Sequence, residues 1–74
     1  MKRTPVNGSS NVLEVGHDPD ANVLEVKFKG GGVYRYEDVD PDKHKAMMAA
    51  DSIGGFIHAN IKGVHKHSKV DESA

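Results

Sequence analysis

Apolar and polar residues alternate along the first half of the chain and recur at helical spacing along the second. In 23–29, Leu24, Val26 and Phe28 fall on one face of an extended segment, with Val23, Glu25, Lys27 and Lys29 on the other. That pattern predicts a half-buried strand. A shorter alternation over 11–17 predicts a strand before it, and Asp18-Pro19-Asp20-Ala21-Asn22 supplies turn chemistry between the two. Gly30-Gly31-Gly32 then turns the chain into a third strand over 33–37. There Tyr34 and Tyr36 share one face, and Val33 and Arg35 the other.

The pattern after the tyrosines is helical. Asp40 suits a helix cap, and Pro41 suits the first helical position, where its missing N–H costs nothing. The predicted helix runs to about Ala50 with Met47 on its thin apolar side. Ser52 caps a second helix in which Ile53, Phe56, Ile57 and Ile61 form an apolar stripe. Gly54-Gly55 weakens that helix by roughly 1 kcal/mol per glycine relative to alanine. A short fourth strand is expected near Val64. These elements give an α+β fold: a small antiparallel β-meander of three to four strands packed against one or two helices. Residues 1–8 form a flexible arm in this reading, 9–67 the domain and 68–74 a flexible tail. The expected core is Val12, Val15, Leu24, Val26, Phe28, Tyr34, Val39, Met47, Phe56, Ile57 and Ile61.

Composition narrows the function classes. The chain has 74 residues, enough for one domain, with 36% hydrophobic and 28% charged residues. It contains no cysteine, which excludes a disulfide-stapled mini-domain and suits a cytoplasmic setting. No apolar run approaches the ~18 residues that a membrane span needs, and no hydrophobic signal segment opens the chain. A formal net charge of −1 gives no global attraction to nucleic acid, so such binding would need a local patch.

Few constellations carry chemistry. Asn7-Gly8-Ser9 matches a glycosylation sequon, without other signs of secretion. Asp18-x-Asp20-x-Asn22 resembles the start of a calcium loop, but Val23 and Lys29 stand where glycine and glutamate are required, so a turn is the better reading. The triple glycine opens a strand rather than a helix and so lacks a phosphate cradle. Five histidines have no zinc-like spacing and no cysteine beside them. No serine lies in a nucleophile elbow, and the acids Glu37, Asp38, Asp40 and Asp42 suit turn and cap roles. No enzyme activity, metal or cofactor is therefore expected. Tyr34 and Tyr36 are either core or a stacking platform with Arg35 nearby. Lys62, His65, Lys66, His67 and Lys69 form a basic segment that is either a solvated tail or a contact patch.

A resemblance adds to this reading. Ser9-Ser10, Val15-Gly16-His17-Asp18, 24–28, Gly32-Val33-Tyr34-Arg35-Tyr36-Glu37-Asp38-Val39 and Ala50-Asp51-Ser52-Ile53-Gly54 are similar to the KTSC domain, named for a C-terminal segment of some lysyl-tRNA synthetases. The similarity covers roughly residues 9–67. Its most specific feature is Y-x-Y after a glycine turn, followed by Ser-x-Gly. The resemblance implies a β-meander followed by helix, no known catalysis and a suggested RNA-binding role. Where the family typically carries basic residues, this chain has Ile53, Gly55 and Ala59. His58 replaces a usual asparagine, and His17 and His65 stand for expected tyrosines.

That loss of charge shifts the expected partner from RNA toward protein, because lysine and arginine supply most non-specific nucleic-acid affinity. In length and layout the chain also resembles small phage-encoded proteins that bind host RNA polymerase. The leading expectation is thus a non-enzymatic transcription regulator that binds a bacterial RNA polymerase subunit, blocking initiation or altering elongation or termination. The alternative is an accessory domain for tRNA or single-stranded RNA. Either partner would meet Tyr34, Arg35, Tyr36, Ile53, His58, Lys62, His65, Lys66 and His67. The protein is expected to be monomeric, with no membrane partner.

Overall fold

The computed structural model describes residues 3–6 and 11–70 and shows an α+β fold. Its elements run β1 (Thr4–Pro5), β2 (Val12–Asp18), β3 (Val23–Phe28), β4 (Gly32–Tyr36), α1 (Pro41–Met48), α2 (Ile53–Asn60) and β5 (His67–Val70). The strands form one antiparallel sheet in sequence order, β1-β2-β3-β4-β5. The sheet therefore has more strands than the three to four that the sequence pattern predicts.

Local chemistry explains both hairpins. Asp18 Oδ1 accepts from the backbone N–H groups of Asp20 (3.0 Å) and Ala21 (3.3 Å), and Asn22 takes a left-handed φ of 55°. The β3–β4 turn needs φ of 71° at Gly30 and 84° at Gly32, which glycine supplies without a steric penalty. At Gly32 there is a second constraint: a Cβ there would lie 3.2 Å from Lys69 Cε. The helix caps are as predicted. Asp40 accepts from Lys43 N–H at 2.7 Å, and Ser52 Oγ accepts from Gly55 N–H at 3.0 Å.

Both helices pack on the sheet face that carries Val15, Leu24, Val26 and Tyr36. Those side chains bury together with Val12, Val39, Met47, Ile57 and Ile61. Phe28, Tyr34, Ile53 and Phe56 pack against this cluster but stay partly exposed, so three of the expected core residues lie at its margin. Tyr36, left out of the expected core, is only 2% exposed. The tyrosines share the helix-facing side of the sheet, as their spacing predicts, with Tyr36 in the core and Tyr34 at its margin.

Three further differences have physical reasons. Thr4–Pro5 lies within the expected arm yet pairs with Val15 and Glu14 of β2. Ser68–Val70 lies within the expected tail yet belongs to β5, which pairs with the β4 edge in register with Val33–Tyr36. The final strand therefore sits beyond Val64, which is 63% exposed after α2. Finally, the sheet face away from the helices is not uniformly wet. There Val33 is 2% exposed, and Glu25, 7% exposed, is held by two arginines. The sequon at Asn7 and the Ser9-Ser10 pair lie outside the described residues.

Candidate functional site: an aromatic cleft with cationic lips

Where α2 leaves the sheet, a cleft of about 850 Å³ opens between them. One wall is the sheet: Phe28 from β3, Tyr34 and Tyr36 from β4, and His67 from β5. Register brings these together, because Val26 pairs with Tyr34, Leu24 with Tyr36, and Tyr36 with His67. Their rings form a continuous row. Phe28 meets Tyr34 edge-on at 5.8 Å, Tyr34 meets His67 at 6.0 Å, and His67 meets Tyr36 at 5.7 Å. Burial, with the neighbouring Tyr34 second, pushes the Tyr36 hydroxyl pKa up, so it remains a neutral phenol.

The other wall is α2 with its exit loop: Gly54, Gly55, Ile57, His58, Lys62 and Gly63. The two glycines have no side chains to fill the space, and so the first turn of α2 forms a bare wall. Ser52 compensates for their poor helix propensity by capping that turn. Tyr34 and Tyr36 of the Y-x-Y motif and Gly54 of Ser-x-Gly, far apart in sequence, thus line a single cleft.

Charge in the cleft has one sign. Lys29 and Lys62 lie at its lips with His58 and His67, and no carboxylate occurs among its described lining residues. The Lys62 ammonium sits 5.3 Å from the centre of the Phe28 ring. Among the described residues, no cluster of metal-ligating side chains occurs.

Of the nine expected site residues, five meet here: Tyr34, Tyr36, His58, Lys62 and His67. The others lie elsewhere. Arg35 points to the opposite sheet face, where its Nη2 donates to Glu25 Oε2 at 3.0 Å. Ile53 packs against the core margin. His65 is a structural tie: its Nδ1–H donates to Glu37 O at 2.9 Å, and its Nε2 accepts from Lys43 Nζ at 2.6 Å. Lys66 is exposed, and its carbonyl accepts from Glu37 N–H at 2.8 Å. Sequence reasoning missed Lys29, Gly54 and Gly55, and placed Phe28 wholly in the core. A glycine pair in the first turn of the most apolar helix was the available signal.

Comparison with known proteins agrees with this fold. The KTSC domain family model matches residues 8–65. A crystal structure of a KTSC domain protein from Yersinia pestis superimposes with a TM-score of 0.90 at 38% identity, covering 95% of this chain and 97% of the other. An uncharacterized protein of Stutzerimonas stutzeri strain A1501 is 40% identical over 65 residues, 88% of this chain and 90% of its own length. A protein of Tsukamurella paurometabola is 35% identical over 54 residues, 73% of this chain and 81% of its own length. Matched by the family model over most of its length, the chain belongs to the KTSC domain family.

Proposed function

We propose that this protein is a non-enzymatic RNA-binding module that holds a single-stranded segment in the cleft between the sheet and α2. One observation carries this reading: a row of aromatic rings lies beside two lysines, and no carboxylate opposes them among the described lining residues. Aromatic faces take unstacked bases, while cations follow the phosphates. The loss of family-typical charge around 53–59 weighs less than the sequence alone suggests. Ile53 packs inward instead of adding apolar surface at the cleft, and Lys29 and Lys62 supply charge from either side.

The test is fluorescence anisotropy with a labelled oligouridylate, repeated between about 50 and 200 mM salt. Two or three lysine–phosphate contacts on a single strand predict a log–log slope of about −1.4 to −2. Binding that ignores salt, or no binding at all, contradicts the proposal.

A second reading, regulation of transcription through a bacterial RNA polymerase subunit, draws on a different feature. β5 is the outer strand of the sheet among the described residues, and its length suits pairing with an extended peptide. Pull-down from a bacterial lysate separates the two. Polymerase subunits retained after nuclease treatment favour this second reading, while RNA-associated material lost with nuclease favours the first.

A further inference from the structure

Lys62 lies over a ring instead of in an ion pair. Its Nζ is 5.3 Å from the Phe28 centroid, and no carboxylate partners it among the described residues. Its root is fixed, because the Lys62 backbone N–H donates to Ile57 O at 2.8 Å where α2 ends. Its stem is unbranched and turns freely. Phe28 is the better anchored partner, packed against the core and met edge-on by Tyr34.

We infer that Lys62 is a latch for a nucleotide unit, an inference that rests on the RNA-binding reading above. The ammonium leaves the Phe28 ring for a backbone phosphate, and the ring face it uncovers takes a base. No covalent bond changes. A cation over a partly exposed ring is held weakly, while a charge-assisted bond to phosphate and a stacked base are each stronger. The exchange is therefore favourable only for a ligand that brings both parts. A nucleoside must expel the cation without giving it an anion, and inorganic phosphate draws the cation away but leaves the ring bare. The latch thus selects a phosphate and a base on one strand over either alone.

NMR of the whole protein tests this, because the methylene next to an ammonium held over the Phe28 ring senses that ring's current. Titration with an oligouridylate of about eight nucleotides is expected to move the ε-methylene signals downfield and the Phe28 ring protons upfield. Uridine and inorganic phosphate at equal concentration are expected to do neither. K62M, which keeps an unbranched stem without charge, is expected to bind more weakly and to reduce the salt slope by about 0.7. Oligouridylate binding that leaves both signals unmoved overturns the latch while the RNA reading stands. An unchanged slope in K62M, or uridine moving the signals equally, also overturns the latch. Absence of oligouridylate binding overturns both.

Discussion

The helix-facing side of the sheet is finished differently at its two ends. At the Leu24 end, Val39, Met47 and Ile61 close over Leu24 and Val26, and every one of these is buried; Tyr36 and Ile57, buried as well, form the boundary with the cleft. At the Phe28 end the same strands continue, but Gly54 and Gly55 face them in place of large side chains, and a cleft remains. One end therefore holds the fold together, and the other leaves rings and cations lining an open cleft. The difference shows that a sheet face with uniform alternation need not be uniformly core. Where the covering helix starts with glycines, the apolar pattern lines a cleft instead of a closed core.

Breaking the closed end should have the largest effect. Ile57→Ala removes a fully buried side chain and should cost about 2–5 kcal/mol. In a domain whose core supplies roughly 3–5 kcal/mol, urea denaturation should show a largely unfolded population. At the open end, Tyr34→Ala should weaken oligouridylate binding by about 1–3 kcal/mol, read by anisotropy. Its effect on the urea midpoint should be smaller than that of Ile57→Ala.

The sheet's other face sharpens the contrast. Glu25 is clamped by Arg3 Nη1 at 3.2 Å and Arg35 Nη2 at 3.0 Å, with Arg3 Nε also reaching Glu14 at 3.2 Å. Glu25→Ala should destabilise by about 1–3 kcal/mol, with oligouridylate affinity unchanged for the fraction that remains folded. Ser52→Ala removes the cap that holds the glycine wall of α2 and should cost about 1 kcal/mol. It should also weaken binding slightly, because the wall itself frays.

The smallest effect is expected from pH. His44 of α1 stacks on His17 of β2 at 4.7 Å, and His17 Nε2–H donates to Val39 O. Burial, followed by repulsion from His17, lowers the His44 pKa below its ordinary 6.5. The unfolded chain then binds this proton more readily than the folded one. Stability should be constant above about pH 6.5 and fall as pH drops below it, levelling off once the folded form also protonates. Urea midpoints at neutral and acidic pH should differ accordingly, and H44Q should reduce the difference.

Most of the closed end was legible in the sequence, because its signals are local. The Asp40 and Ser52 caps, the Asp18 turn and the helical stripe ending at Ile57 and Ile61 each follow from neighbouring residues. β5 was not legible: His67-Ser68-Lys69-Val70 has little apolar alternation and is strand because β4 offers it an edge. Pairing at Thr4–Pro5 is hidden for a similar reason, since proline signals loops more often than strands. The cleft was half legible. Periodicity assigns Phe28, Tyr34 and Tyr36 to one face, yet cannot tell how far a helix reaches across it. Arg35 could have been excluded from sequence alone, because strand alternation sends it to the opposite face from the tyrosines.

The most direct measurement is amide chemical-shift mapping of the whole protein during titration with an oligouridylate. Binding in the cleft predicts salt-sensitive shifts gathered at Phe28, Tyr34, Gly54, Gly55, His58, Lys62 and His67, with Glu25 and Arg35 unmoved. Shifts confined to the outer face or the β5 edge, or no shifts at all, would contradict it.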